Sequence, residues 1–98
     1  MSITVDSYRK KPVEIQAMQF TEETARALIE WAEIPESHVF PAGEDLATGA
    51  PVDGYVVIAT LEGDMRANLG DWVIRGIKGE FYPCRDDIFR ATYDAVTA

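Results

Sequence analysis

The sequence predicts an α+β domain: a curved antiparallel sheet or partial barrel of about five to six strands, covered by one helix at about residues 21–33. Helical periodicity is confined to that one stretch, whereas the second half is a series of β-prone runs separated by glycine-containing turns. The chain has 98 residues, 47% of them hydrophobic, which suits a single domain spanning residues 1–98 and is too short for two.

The first regular pattern lies at residues 13–17, where apolar and polar side chains alternate as they do along a strand. A basic segment, residues 8–11, precedes it. Pro12 holds its predecessor extended and cannot donate to a sheet, so it suits the position just before a strand.

The helix is predicted from apolar residues at the spacing of one helical face, Ala25, Leu28, Ile29 and Ala32. Thr21 is the expected N-cap, and Pro35 is expected to end the helix. Trp31 lies at the edge of the apolar stripe, so it is either a lid on the core or a partly exposed contact residue. The outward face carries Glu22, Glu30 and Glu33.

Residues 35–54 contain three prolines and three glycines and predict a flexible loop, interrupted by a short strand at residues 37–40. Structureless loops of this length are uncommon in compact domains and are often functional.

The second half predicts an antiparallel meander of two hairpins. Strands are expected at 55–61 and 64–67 around a turn at Glu62–Gly63, and at 72–77 and 80–84 around a turn at Lys78–Gly79. Residues 85–96 are ambiguous: Asp86 could cap a helical turn, while Phe89, Ala91, Tyr93 and Ala95 alternate like a strand. The favoured interpretation is a short turn at 86–88 followed by a closing strand.

The composition excludes several classes of protein. With 9 Lys and Arg against 17 Asp and Glu, the net charge of −8 argues against a broad binder of DNA. No apolar run is as long as the roughly 18 residues of a membrane span, and the N-terminus lacks the pattern of a signal peptide. One cysteine, Cys84, cannot form an internal disulfide. We therefore expect a soluble protein of a reducing cytoplasm.

Catalytic chemistry is not indicated by any motif. His38 is the only histidine, and an ordinary loop residue is the favoured interpretation of it. A buried structural role is likewise favoured for Cys84, although Arg85 beside it could lower its pKa. No catalytic residue, metal site or cofactor is therefore predicted. A metal-dependent hydrolase built on Asp64, Asp71, Asp86 and Asp87 is the weakest alternative.

The charges are unevenly placed along the chain. Residues 14–45 hold eight acids and one base, whereas residues 65–90 hold five bases and four acids. Arginine binds phosphate bidentately and aromatic rings stack on bases, so the basic half predicts a site for a small anionic ligand such as a nucleotide. The candidate ligand-binding residues are Arg66, Trp72, Arg75, Lys78, Tyr82 and Arg85, with Arg66 expected to neighbour Arg75 across a hairpin.

Two other interpretations of these charges stay open. The arginines could simply pair with Asp86, Asp87 and the helix glutamates. Alternatively, the acidic helix face could dock on a basic surface of a host protein, in which case the partner-binding residues are Glu22, Glu30, Trp31 and Glu33. For both the ligand-binding and the docking hypothesis a homo-oligomer, most simply a dimer, is expected, because a domain this small has little room for a pocket of its own.

Three stretches resemble a family of small proteins encoded by tailed bacteriophages and prophages: Tyr8-Arg-Lys-Lys-Pro-Val13, Thr60-Leu-Glu-Gly-Asp-Met65, and the run from Gly70 to Phe89 followed by Thr92-Tyr93. The resemblance covers both ends of the chain and skips residues 35–54. Leu69 departs from the proline common in the family at that turn. The family has no established reaction, so the resemblance implies a setting: a non-enzymatic accessory protein in the host bacterial cytoplasm. There it could sequester a host defence signalling nucleotide or, alternatively, inhibit or adapt a host protein.

Overall fold

The computed structural model describes residues 4–96, and its α+β architecture confirms the predicted class. The helices are α1 (Ala25–Trp31) and α2 (Asp86–Thr92), and a 3-10 turn spans Glu36–His38. The strands are β1 (Gln16–Gln19), β2 (Val39–Phe40), β3 (Gly43–Glu44), β4 (Pro51–Val52), β5 (Tyr55–Thr60), β6 (Gly63–Asn68), β7 (Trp72–Arg75) and β8 (Phe81–Cys84). Neither helix has the length or apolarity to span a membrane among the residues described.

The strands form three small antiparallel sheets, ordered β1-β7-β8, β2-β5-β6 and β3-β4, which do not close into a barrel. The predicted single curved sheet is not confirmed. The meander is interrupted between β6 and β7, because the turn there bonds to Phe20 instead. The Gly70 N–H donates to the Phe20 carbonyl at 2.7 Å, and the Phe20 N–H donates to the Asp71 carbonyl at 2.8 Å. These bonds place β7 beside β1 in a separate sheet.

Strand β1 begins three residues later than the predicted 13–17, because its partner sets its limits. Ala17 lies opposite Ile74 and Met18 opposite Val73, whereas Val13 lies outside the ladder and is 46% exposed. The basic segment 8–11 therefore leads into an irregular stretch that precedes the strand.

Helix α1 is shorter than the predicted 21–33, although its ends follow known capping chemistry. The Thr21 N–H donates to the Thr24 hydroxyl at 2.9 Å and the Thr24 N–H donates to the Thr21 hydroxyl at 3.2 Å. This reciprocal pair has the pattern of a capping box with Thr24 in the usual place of Glu or Gln, and it orders the turn before Ala25. The N-cap is therefore Thr24, not the predicted Thr21, and its side chain makes no capping bond to the helix.

The helix ends in a Schellman motif. The Ile34 N–H donates to the Ile29 carbonyl and the Glu33 N–H to the Glu30 carbonyl, at 3.0 and 3.3 Å. The motif requires a left-handed residue at Glu33, which has a φ of 53°. Glycine is usual at this position because a Cβ there is strained.

Residues 35–54 contain more structure than the predicted flexible loop. The expected strand at 37–40 is reduced to Val39–Phe40, which pairs with β5, because Glu36–His38 forms the 3-10 turn. Strands β3 and β4 make a small hairpin whose turn is held by the Asp45 carboxylate, which accepts the Ala47 N–H at 2.8 Å.

Helix α2 replaces the closing strand predicted after residue 88. Phe89 and Tyr93 alternate along a strand, but they are also one helical turn apart, so their spacing does not distinguish the two structures. Two contacts favour the helix: Phe89 stacks on Trp72 of β7 with ring centroids 4.0 Å apart, and within the helix Asp86 pairs with Arg90 four residues later.

The main core lies between α1 and the strands β5, β6 and β7. Its buried residues are Phe20, Leu28, Ile34, Val56, Ile58, Ala67 and Val73. Ile74 is also fully buried, but two-residue alternation turns it to the opposite face of β7, the face of Trp72. The sheet β1-β7-β8 is therefore covered on both faces.

The chain is more expanded than a compact domain of its length. Its radius of gyration is 16.7 Å, against roughly 13 Å for about 100 residues, and its accessible surface of 7995 Å² exceeds the roughly 5600 Å² of a typical monomer of this mass. Residues 4–14 and 40–53 are exposed throughout, which explains the additional surface.

Candidate functional site

A stack of two aromatic rings and one guanidinium lies on the outer face of the sheet β2-β5-β6. The rings of Phe40 and Tyr55 are parallel within 12° with centroids 4.7 Å apart, and the Arg66 guanidinium lies 3.7 Å from the centre of the Tyr55 ring. The Arg66 Nε donates to the Asn68 amide oxygen at 2.6 Å. We call these four residues, Phe40, Tyr55, Arg66 and Asn68, the Arg66 surface.

The register of β5 with β6 produces this arrangement. A two-residue turn, Leu61–Glu62, makes Thr60 face Gly63, so that Tyr55 lies opposite Asn68 and Arg66 opposite Val57. Alternate residues such as Val56 and Ala67 point into the core, which turns Tyr55, Arg66 and Asn68 outward. Strand β2 adds Phe40 directly opposite Tyr55.

Within residues 4–96, the charge of Arg66 is not neutralised by an ion pair. The side-chain ion pairs among residues 4–96 are Arg85 with Asp87 and Arg90 with Asp86. Arg66 is exposed, and with its Nε held by Asn68 and its plane resting over Tyr55, its terminal nitrogens remain available as donors. A fixed, uncompensated guanidinium is suited to bidentate binding of a phosphate or carboxylate.

An apolar groove of about 300 Å³ adjoins the Arg66 surface. Phe40 and Tyr55 form one wall and Ile29 of α1 lies in its lining, together with the carboxylate-bearing Glu22. Because Gly54 has no side chain, the backbone that follows β2 can lie close to it: a Cβ at Gly54 would lie 3.0 Å from the Ala42 backbone nitrogen. The groove can hold a planar ring, because both its aromatic and aliphatic walls are apolar.

The other predicted ligand-binding residues do not join Arg66. Arg75 lies opposite Gln16 and Phe81 in the sheet β1-β7-β8, so the expected pairing with Arg66 across a hairpin is wrong: the strands β6 and β7 lie in different sheets. Lys78 lies at the β7–β8 turn, where its N–H donates to the Glu80 carboxylate at 2.9 Å.

Trp72 and Tyr82 lie on the face of β7 and β8 opposite to Arg75. Trp72 is part of a cluster with Asp86, Phe89 and Arg90, which we call the Trp72 cluster. One face of the indole is covered by Phe89, and its Nε1 donates to Asp86 at 2.8 Å. The Arg90 Nε donates to the same carboxylate oxygen at 2.9 Å.

Within this cluster, hydrogen bonds to the Asp86 carboxylate change the pKa of that group. The hydrogen bond from the Trp72 indole N–H, followed by the one from Arg90, lowers the pKa of Asp86.

Arg85, the last predicted ligand residue, precedes α2 and pairs with Asp87 at 3.3 Å. The expectation that these arginines pair with Asp86 and Asp87 is therefore confirmed for Arg85 and Arg90, while the helix glutamates take no part in the ion pairs described.

The hydroxyl groups of Tyr82 and Tyr93 influence each other's pKa. Burial, followed by the neighbouring Tyr93 hydroxyl, raises the pKa of Tyr82, whereas the hydrogen bond from Lys10, followed by the neighbouring Tyr82 hydroxyl, lowers the pKa of Tyr93. The Lys10 ammonium donates to the Tyr93 hydroxyl at 3.0 Å. Burial also raises the pKa of the Cys84 thiol, so the suggestion that Arg85 lowers it is wrong.

The residues of the docking alternative are divided between surface and core. Glu22, Glu30 and Glu33 are exposed. Trp31 is a lid on the core, since its ring makes an edge contact with Phe81 at 5.2 Å. The acidic face therefore lacks a freely projecting aromatic ring at this position.

The four aspartates proposed for a metal-dependent hydrolase, Asp64, Asp71, Asp86 and Asp87, do not form a common metal site in the described residues. No group of three or more Asp, Glu, His or Cys residues suited to a metal ion occurs between residues 4 and 96. Asp71 accepts the Asn68 N–H at 2.9 Å, Asp86 belongs to the Trp72 cluster and Asp87 pairs with Arg85.

Sequence reasoning included Arg66 but missed Phe40, Tyr55 and Asn68. The turn was placed at Glu62–Gly63, one residue beyond its observed position, and a shift of one residue changes every cross-strand neighbour. A turn at Leu61–Glu62 would have placed Tyr55 diagonally across from Arg66. Phe40 depends on β2 pairing with β5, which no local signal specifies.

Comparisons with known proteins give no match: no family model, no curated protein and no solved structure is similar to the chain.

Proposed function

We propose that the protein is a non-enzymatic binding protein that captures a nucleotide-like ligand, a planar ring carrying an anionic group, at the Arg66 surface. The observation that supports this is the exposed, unpaired guanidinium of Arg66, held 3.7 Å from the centre of the Tyr55 ring. Arginine stacked on an aromatic ring keeps its outward donors oriented, so less side-chain entropy is lost when an anion binds.

The groove beside Arg66 provides the second half of such a site. A base would stack against the ring of Phe40, which is 40% exposed, or enter the groove between Phe40 and α1. The Glu22 carboxylate at the groove repels the anionic end of the ligand and can accept hydrogen bonds from an exocyclic amino group. The phosphate would therefore lie at Arg66 and the base toward Glu22.

The phage resemblance suggests what this ligand is for. In an infected bacterium, a protein that holds a defence signalling nucleotide without converting it would lower the free concentration of that signal. This version of the proposal requires affinity without turnover.

Titration calorimetry with AMP, adenosine and inorganic phosphate tests whether ring and anion are both recognised. We expect AMP to bind at least tenfold more tightly than adenosine or phosphate, because only AMP uses both parts of the site. A cyclic dinucleotide and ADP-ribose extend the panel to signalling nucleotides, and heating the complex should release each ligand intact. Absence of binding to every nucleotide would refute the proposal, and conversion of a bound nucleotide would refute its non-enzymatic character.

Docking of the acidic face on a basic host protein is a second candidate. It is favoured by Glu33, which is exposed although its left-handed backbone would favour glycine. The test is a pull-down from bacterial lysate at low and high salt, with the triple variant Glu22→Gln, Glu30→Gln, Glu33→Gln as control. A partner lost both at high salt and in the variant supports docking, whereas equal recovery by both proteins contradicts it.

A further inference from the structure

A second cavity, of about 490 Å³, is lined by residues 12–15 before β1, by Trp72, and by residues of α2 and of the segment that follows it. Its volume is within the range of about 300–1000 Å³ usual for small-molecule sites. We call it the terminal cavity, and none of the four residues of the Arg66 surface lines it.

Aromatic and aliphatic side chains make most of its wall. Trp72, Phe89 and Tyr93 contribute three rings, and Val13 and Ile15 contribute aliphatic groups from the segment opposite. Rings of this kind attract cations through their negative faces. Tyr93 already does so: the Lys10 ammonium lies 4.8 Å from the centre of its ring.

The charged residues that line the cavity are both acidic. Glu14 and Asp94 supply carboxylates, and the lining contains no lysine, arginine or histidine. Neither carboxylate takes part in an ion pair with a residue in the range 4–96. An apolar chamber with two unpaired carboxylates repels anions and has charge complementarity to an organic cation.

From this combination we infer that the terminal cavity binds organic ammonium ions, in particular quaternary or alkylated amines with an apolar body. The apolar part of the ligand contacts Trp72 and Phe89, and the ammonium lies between the aromatic rings and the carboxylates of Glu14 and Asp94. Quaternary ammonium groups suit such a site because they are weakly hydrated and interact with rings without needing hydrogen-bond acceptors. This site is independent of the proposed nucleotide site.

The test is an NMR titration with phenyltrimethylammonium, compared with its uncharged isostere tert-butylbenzene. The indole N–H of Trp72, which donates to Asp86, should shift on saturation, while that of Trp31 in the main core should not. We expect the cation to bind at least tenfold more tightly than the isostere.

Variants that neutralise the exposed residues Glu14 and Asp94 test whether the preference for the cation arises in the terminal cavity. Glu14→Gln and Asp94→Asn should each weaken cation binding about two- to tenfold, and the double variant should keep only the smaller preference for the cation that the aromatic rings provide. Lys10→Gln should bind the cation no more weakly than the unchanged protein, because it removes a nearby positive charge. Arg66→Gln should leave this binding unchanged, which separates it from the nucleotide site. Equal binding of cation and isostere by the unchanged protein, a cation preference that is undiminished in the double variant, or no binding at all would overturn the inference.

Discussion

Two clusters among residues 4–96 combine an arginine with a pair of stacked aromatic rings, and they differ in the partner of the arginine. In the Trp72 cluster, Trp72 stacks on Phe89, and the Arg90 guanidinium is neutralised by Asp86. In the Arg66 surface, Tyr55 stacks on Phe40, and Arg66 has only the neutral Asn68 as its partner.

The carboxylate explains why the two clusters have different roles. In the Trp72 cluster, Asp86 accepts from both the indole and the guanidinium, which joins α2 to β7 and neutralises the charge of Arg90. In the Arg66 surface, the positive charge remains for an external anion. We therefore expect changes in the Trp72 cluster to alter stability, and changes in the Arg66 surface to alter the binding of anions.

The largest expected effect is that of Trp72→Ala. It removes the stack with Phe89 and the hydrogen bond to Asp86, and should lower the free energy of unfolding by about 3 kcal/mol, within the range for loss of a large aromatic side chain. Urea unfolding followed by circular dichroism measures it. Arg66→Gln, the counterpart in the other cluster, should change stability by less than about 0.5 kcal/mol. Equal losses in both variants would remove the distinction between the clusters.

Gly54→Ala should have the next largest effect, because it displaces the backbone that positions Phe40 in the Arg66 surface. The added Cβ would lie 3.0 Å from the Ala42 nitrogen and 3.2 Å from the Phe40 carbonyl oxygen, so the chain bearing Phe40 must move. We expect a loss of about 1–2 kcal/mol in unfolding free energy and weaker binding of AMP.

Gly43→Ala is the matched control for Gly54→Ala, since a Cβ at Gly43 meets no atom within 4 Å. It should leave both stability and AMP binding close to those of the unchanged protein. If both alanine variants behave alike in calorimetry and urea unfolding, close approach at Gly54 does not position Phe40.

Glu33→Gly should stabilise the protein, by about 0.5–1 kcal/mol, because glycine relieves the left-handed strain at the end of α1. Glu30→Gly, which removes the same charge from within the helix, should destabilise it by about 1 kcal/mol. Thermal unfolding of the two variants separates backbone strain from charge. A destabilised Glu33→Gly variant would show that its carboxylate contributes more than the strain costs.

The smallest expected effect is a pH dependence of the stability that the Trp72 cluster contributes. The pKa of Asp86 is lowered in the folded state, first by the Trp72 hydrogen bond and then by Arg90. Its contribution to stability is therefore complete above the unfolded pKa of about 3.9 and is lost as the pH falls through the lower folded value. The Trp72 indole N–H resonance should report this transition below about pH 4, and Asp86→Asn should abolish it. A transition that persists in the variant would assign it to another carboxyl group.

The sequence predicted local structure better than tertiary arrangement. The helix around Leu28, the β5–β6 and β7–β8 hairpins and the glycine turns follow from periodicity and backbone preference, and Gly79 has the expected positive φ of 80°. The separation of β6 from β7 depends on hydrogen bonds to Phe20, and the helical state of residues 86–92 depends on Trp72. Both are long-range contacts that no local pattern specifies.

The candidate site shows the same limit. Arg66 could be identified as an arginine in the basic half of the chain, but its aromatic neighbours come from two other strands whose register had to be known to one residue. Two-residue alternation predicts that Trp72 and Arg75 lie on opposite faces of β7, but the separation of Arg75 from Arg66 depends on the sheet to which β7 belongs.

The most direct test compares the affinity for AMP of Arg66→Gln and Arg75→Gln by titration calorimetry. Each variant removes one exposed arginine, so both change the net charge equally, but only Arg66 is fixed over Tyr55 by Asn68. We predict that Arg66→Gln weakens AMP binding at least tenfold and that Arg75→Gln weakens it less than twofold. Equal losses in the two variants, or no loss with Arg66→Gln, would contradict a ligand site at the Arg66 surface.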